Sequence, residues 1–353
     1  MKIGIITFHW ATNYGAILQA YALKTYLTNL GHEVCIINYR PNKYKITFLS
    51  CFFTPRVNLY LSHIKEYIKE QKLERFRKKY LNETVLYKSA ANLKKSPPLL
   101  DVFIAGSDQV WNPYFTQEGE GGPTTAYFLD FGNKNVKRIG YAVSFGCEVY
   151  PATAEVIAKK YMENFQGISV RENSGLKIVK NLGFNNPIIL LDPTLLLKRD
   201  AYNFENYKLL NKEKYVLVYI LRNENKNFKS IISHLSKDCK VMAINKSLNP
   251  ESIEMWIEKI RNSSFVITNS FHGMVFSLIF HVPFVITLTR GVGMNDRFYS
   301  LLSKLNLQNR IVYGDKTDNL QVLLEEEIDW QYIDTKLSKE RDKTANFFKH
   351  LLS

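Results

Sequence analysis

Apolar residues fall into short blocks separated by longer amphipathic stretches, the rhythm of alternating strands and helices. KIGIITF is a run of buried-strand length. GAILQAYALKTYLTNLG then carries apolar residues at 17, 20, 21, 23 and 27 and ends at Gly31, a helix with a C-terminal stop. EVCIINY follows as a second buried strand. Strand, helix and strand in this short space predict a βαβ unit and a parallel sheet. Beyond a basic stretch, LLDVFIAG and KRIGYAVSFG read as strands. ATAEVIAKKYMENFQG, ISVRENSG and NSGLKIVKNLGF supply helix, strand and helix ahead of PIILLDPTLLL.

Residues 196–213 are polar and irregular and make the best domain boundary. Alternation then restarts with YVLVYIL, KNFKSIISHLSKD, KVMAIN, PESIEMWIEKIRNS, SFVITN, FHGMVFSLIF, PFVITL and NDRFYSLLSKLNL. The expected fold is α/β, with two Rossmann-like domains of parallel sheet over 1–200 and 201–334 and a final amphipathic helix over 335–353. Ligands of such sheets bind beyond the carboxyl ends of the strands, so a cleft between the two domains is the expected site.

Composition narrows the function. At 353 residues, 46% hydrophobic and 23% charged, the chain reads as globular, and no apolar run reaches the length of a membrane span. The N-terminal MKIGIITFHW lacks a cleavage site and reads as a strand. The four cysteines, Cys35, Cys51, Cys147 and Cys239, have no metal-ligand spacing, so neither metal nor cofactor is expected and a reducing, cytoplasmic setting is. A net charge of +14 favours an anionic partner. Without a zinc finger or RRM-like signature, nucleic acid is set aside. Part of the excess lies in an arm at about 46–83, where an apolar run precedes IKEYIKEQKLERFRKKYLNE. That pattern suits either a solvated helical arm or peripheral contact with an anionic membrane.

Four motifs follow predicted strands. Asn13, Tyr14 and Gly15 open a helix whose first amides suit an anion or a sugar oxygen, or carry only an ordinary cap. In IAGSDQVWNP, Ser107, Asp108, Gln109 and Trp111 gather polar groups and an indole, a mixture that suits a carbohydrate; the alternative is a capped turn with a core Trp. Arg171, in ISVRENSG, offers a planar fork for carboxylate or phosphate, or pairs with Glu172. Asp192, in LLDPTLLL, reads as a cap.

ITNSFHGMVFSLIF holds the strongest candidate. Its helix is apolar on all sides, yet Thr268, Asn269, Ser270 and His272 crowd its N-terminus, where dipole and amides attract anions. Gly273 would let a ligand approach the backbone. Arg290, Asn295 and Arg297 follow the next strand and could close an anion site.

In these motifs, from TNYGAILQAYAL through GSDQVWNP, SVRENSG and LDPTLLL to TNSFHGMVFSLIF and NDRFYSLLSKL, the chain resembles the polysaccharide pyruvyl transferase family. The resemblance implies a GT-B-like fold, with the final helix returning to the N-terminal domain. It also implies transfer of pyruvate from phosphoenolpyruvate to a sugar, free or lipid-linked, as a cyclic ketal. Arg171 matches the family's arginine after the SV strand, and His272 its histidine. Where many relatives carry arginine two positions before that histidine, this chain has Ser270, leaving Arg171, Arg290 or Arg297 to supply charge. On this reading His272 is the general acid and Asp108 accepts the hydroxyl protons. A GT-B glycosyltransferase using a nucleotide-sugar and a non-catalytic carbohydrate-binding protein are the alternatives.

Overall fold

A computed structural model describes residues 1–44, 57–118, 120, 124–204, 213–221, 240–244, 249–313 and 320–353. The apolar run at the start of the arm and the helix expected in KNFKSIISHLSKD lie outside the described residues. By internal contacts the chain divides into two compact units, one of Met1–Ile46, Glu74–Leu197 and Leu337–Ser353, the other of Thr47–Leu73 and Lys198–Lys336.

The first unit is built on β1 (Lys2–Ile6), β2 (Glu33–Ile36), β3 (Val102–Ala105), β4 (Lys137–Val143), β5 (Gly167–Val170) and β6 (Ile188–Ile189), all parallel in the order β2-β1-β3-β4-β5-β6. Parallel bridges Ile36–Glu83 and Tyr39–Tyr87 place a further extended segment beyond β2. The order thus runs outward from β1 in both directions, as in a Rossmann sheet, with its switch point between β1 and β3. β3 and β5 are buried at every position, as strands covered on both faces must be. Leu337–Ser353, the end of the helix Trp330–Leu352, packs in this unit: Phe348 stacks on Tyr141, and Lys137 Nζ donates to Leu351 O at 3.0 Å.

The second sheet comprises β7 (Val216–Tyr219), β8 (Val241–Ala243), β9 (Phe265–Thr268), β10 (Phe284–Leu288) and β11 (Ile311–Tyr313), again parallel, in the order β11-β10-β9-β7-β8. Its switch point falls between β7 and β9. Helix Phe271–Phe280 is buried at every position, which explains its lack of a polar face.

The arm's helix, Val57–Tyr80, is more than a solvated appendage. Leu73 and Phe76 are buried, and Lys72 Nζ donates to Asn249 Oδ1 at 2.6 Å and to Pro250 O at 2.7 Å in the second unit. Arg77 is buried in the first unit, donating to His9 O at 3.4 Å. Arg75, Lys78 and Lys79 stay exposed.

Candidate functional site

At the first switch point, Thr7 Oγ1 donates to Ser107 O at 2.7 Å and accepts from Gln19 Nε2 at 2.9 Å, tying the turns after β1 and β3 together. A bulge between Gly140 and Val143, with Ala142 at φ 46°, re-aims the end of β4. Ser144 N then donates to Asp108 O at 3.0 Å, and Trp111 N donates to Ser144 O at 3.2 Å. Asp108 itself adopts φ 83°, a left-handed conformation that few non-glycine residues hold.

Arg171, at the end of β5, meets three carboxylates. Its Nη1 donates to Asp192 Oδ2 at 2.8 Å, Nη2 lies 3.7 Å from Asp108 Oδ1, and Nε lies 3.8 Å from Glu172 Oε2. Asp192 Oδ1 accepts from Thr194 N at 3.0 Å and Thr194 Oγ1 at 2.6 Å, and Glu172 Oε1 accepts from Phe145 N at 3.1 Å. Burial alone would lower the Arg171 pKa, but Asp192, Asp108 and Glu172 outweigh it and hold it raised. One guanidinium among three carboxylates is an excess of negative charge. Arg171 therefore does not stand as the open anion fork expected from the sequence.

Several other expectations change here. Trp111 is 0% exposed, stacked on Phe128, with Nε1 donating to Tyr127 O at 3.0 Å. It is a core residue and no platform for a sugar. The helix opening at Asn13 is an ordinary cap: Asn13 Oδ1 accepts from Gly15 N at 2.9 Å and Ala16 N at 3.2 Å, while Tyr14 and Gly15 are buried. Ser107 is buried too, its Oγ donating to Asp192 Oδ2 at 3.2 Å. Gln109 is half-buried and its Oε1 accepts from Asn112 Nδ2 at 2.9 Å.

In the second unit the corresponding turn is built by its small polar side chains. Thr268 Oγ1 donates to Tyr219 O at 2.5 Å and accepts from Ser270 N at 2.9 Å. Asn269 Oδ1 accepts from Leu221 N at 2.8 Å, and Ser270 Oγ caps the helix by accepting from Gly273 N at 3.2 Å. A Cβ on Gly273 would lie 2.6 Å from Thr268 Oγ1, so helix-to-strand packing explains the glycine without a ligand. His272 is 7% exposed, its ring edge-on to Phe271 at 5.4 Å. The Arg297 guanidinium lies 5.4 Å from the Phe271 ring centre, and exposed Arg290 lies 4.0 Å over Tyr313. Asn295 is buried, its Nδ2 donating to Thr289 O at 2.7 Å. This turn thus sets His272 in the first turn of a helix capped by Ser270, with the Arg297 guanidinium over the adjoining Phe271 ring.

A family model described as polysaccharide pyruvyl transferase matches residues 13–289. The chain belongs to that family. The match runs from the first residues after the β1 turn to β10, and the family is one of transferases. A search of curated proteins returns no match. Among solved structures, MnaA of S. aureus, in a co-structure with UDP, is similar at 14% identity, covering 99% of this chain and 96% of that one, with a TM-score of 0.52. The UDP-GlcNAc 2-epimerase of Methanocaldococcus jannaschii is similar at 12% identity, covering 93% of each chain, with a TM-score of 0.50. These likenesses show the fold, two Rossmann-like parallel sheets of the GT-B class.

For this member of the pyruvyl transferase family, sequence reasoning missed the three-carboxylate setting of Arg171 and the buried His9. His9 Nδ1 lies 3.1 Å from Thr7 O, Nε2 lies 3.4 Å from Asn38 Oδ1, and Glu83 is 3.6 Å away. Burial chiefly, with Arg77 and Arg40 adding, pushes the His9 pKa down to about 4. The signal available was a histidine directly after a buried strand. Among the described residues no three His, Cys, Asp or Glu could hold a metal ion, and no helix is long and apolar enough to cross a membrane.

Proposed function

We propose that the protein transfers pyruvate from phosphoenolpyruvate onto a sugar of a cell-surface polysaccharide or its precursor, forming a cyclic ketal. The observation that carries this reading is the turn at 268–273. Thr268, Asn269 and Ser270 are used to build it, while His272 sits beside them at the positive end of a buried helix, with Arg297 over the adjoining Phe271. Phosphoenolpyruvate carries carboxylate and phosphate, so a helix N-terminus with arginines suits it.

In the proposed reaction His272 donates a proton to the methylene carbon, leaving C2 oxocarbenium-like. A sugar hydroxyl adds to C2 and gives its proton to Asp108. Phosphate then leaves C2 as its C–O bond breaks, and a second hydroxyl of the same sugar closes the ketal, its proton passing to the now neutral His272. The scheme needs no cofactor. Ser270 stands where many relatives have arginine, so Arg290 and Arg297 supply the donor-binding charge.

The setting proposed is cytoplasmic, with the exposed Arg75, Lys78 and Lys79 bringing the enzyme to an anionic membrane that carries a lipid-linked acceptor.

The test is phosphate release from phosphoenolpyruvate over a panel of sugar acceptors, run beside nucleotide release from nucleotide-sugars. Acceptor-dependent phosphate release is expected. His272→Gln should lose about 10²–10⁴-fold in kcat with donor affinity retained. Nucleotide release alone would make the protein a glycosyltransferase, and release of neither would leave a binding protein.

A further inference from the structure

Arg171 brings together residues from four turns of the first unit. Asp108 follows β3, Glu172 follows β5, Asp192 follows β6, and Phe145, whose amide fixes Glu172, follows the bulge in β4. The members differ in exposure. The side chains of Asp192, Glu172 and Arg171 are 0%, 3% and 2% exposed, whereas that of Asp108 is 17% exposed. Only Asp108 within this cluster reaches solvent to any extent, and it does so from a backbone held at φ 83°. A strained backbone persists where its surroundings over-determine it, and such positions gather at functional sites. Here the surroundings are the Ser144–Asp108 bridge, the Gln109 N bond to Asp108 Oδ1 at 2.9 Å, and Arg171.

We infer that Arg171 is a positioning residue: anchored by Asp192 and Glu172, it orients Asp108 and stabilises its charge as proton acceptor for the sugar hydroxyl. The inference rests on the role given to Asp108 in the proposed function. In that step the sugar O–H bond breaks as oxygen bonds to C2, and the proton passes to an Asp108 carboxylate oxygen. Asp192 and Glu172 keep Arg171 charged and hold it between them, so that its stabilising effect on Asp108 is partial. A fully exposed fork would instead compete for the donor's anions. The other titratable groups facing the cluster are Tyr127, which senses Asp108, Tyr141, which senses Asp192, and Cys147, which senses Glu172. Burial raises the pKa of all three, that of Cys147 to about 11, so none changes charge across the range in which a carboxylate titrates.

Opposite shifts from two charge-removing variants make the test. Glu172→Gln keeps an oxygen for the Phe145 amide and removes one negative charge, so Asp108 should deprotonate more readily. The acid limb of the pH–kcat profile should then move to lower pH. Arg171→Gln leaves carboxylates facing one another and should move that limb up, with kcat reduced. Asp108→Asn should abolish the limb. The same opposite shifts are expected in the ¹³C titration of the Asp108 carboxyl in the free protein, a measurement independent of any transfer. If Arg171→Gln fails to fold, Glu172→Gln and Asp192→Asn still carry the test, both moving the titration down. An Asp108 titration that stays at its wild-type pH in the folded variants overturns the inference and makes Arg171 a structural clamp. A titration that shifts while Asp108→Asn turns over normally leaves the linkage standing and removes Asp108 from the proposed reaction.

Discussion

Gly273 separates packing from ligand approach, because the two predict opposite signs for one methyl group. Gly273→Ala in an unconstrained helix gains about 0.8–1.0 kcal/mol from propensity. Here the new Cβ would lie 2.6 Å from Thr268 Oγ1, 3.1 Å from its Cγ2 and 3.2 Å from its Cβ. Thr268 cannot rotate away cheaply, since Oγ1 donates to Tyr219 O and accepts from Ser270 N. Losing those two bonds costs about 0.5–1.5 kcal/mol each, and overpacking of this kind costs about 1–3 kcal/mol. Set against the propensity gain, Gly273→Ala should destabilise by about 1–5 kcal/mol. Urea unfolding of the variant, of Thr268→Ala and of the double variant measures it. The cost of the alanine should shrink by about 1 kcal/mol or more in the Thr268→Ala background, because the two nearest clashing atoms, Oγ1 and Cγ2, are gone. A Gly273→Ala protein as stable as wild type or more so, with lost donor affinity, would refute the packing argument and restore the glycine as a point of ligand approach.

Three further outcomes are expected. His9 has a folded pKa of about 4 against an ordinary 6.5, so its contribution is complete above pH 6.5 and is lost as pH falls toward 4; wild type should lose on the order of 3 kcal/mol more than His9→Gln over that window, and parallel stability–pH curves would contradict it. Trp111→Ala should cost about 3–5 kcal/mol in unfolding experiments, while Trp111→Phe should leave the acceptor KM unchanged; a raised KM would return the indole to the sugar site. Binding to vesicles should rise with anionic lipid content and fall when Arg75, Lys78 and Lys79 are replaced by glutamine, and co-sedimentation indifferent to both would make the helix a surface arm only.

The described strands were legible because both faces of each central strand are covered, which writes an unbroken apolar run into the sequence. The buried helix 271–280 was legible for the same reason. Side-chain roles were harder. Trp111 stands among Ser107, Asp108, Gln109 and Asn112 in the sequence, so composition suggested a sugar platform. Its burial is decided by Phe128, Phe145 and Phe165, which lie far along the chain. The fate of Arg171 was hidden likewise, because the Asp192 that takes its fork arrives from another strand end. The bulge that joins Ser144 to Asp108 rests on a positive φ at Ala142, a residue whose chemistry announces nothing.

The two switch points share a device and differ in charge. In each, a threonine at or just past the end of a central strand donates to the carbonyl of a neighbouring strand's end or turn, Thr7 to Ser107 and Thr268 to Tyr219. Beyond that shared tie, the first unit presents carboxylates around one guanidinium, and the second presents a helix N-terminus, His272 and Arg297. A neutral polyol that must lose protons suits the first, since carboxylates accept hydroxyl hydrogens and repel a phosphate. A multiply charged donor that must gain a proton suits the second. Under the proposed function, added salt should weaken phosphoenolpyruvate binding through the second unit's cations. Arg297→Gln should then lower donor affinity more than Arg171→Gln does, as read by calorimetry at fixed ionic strength. The reverse order would place the donor at the carboxylate cluster, where Arg171 would have to leave Asp192 to meet it.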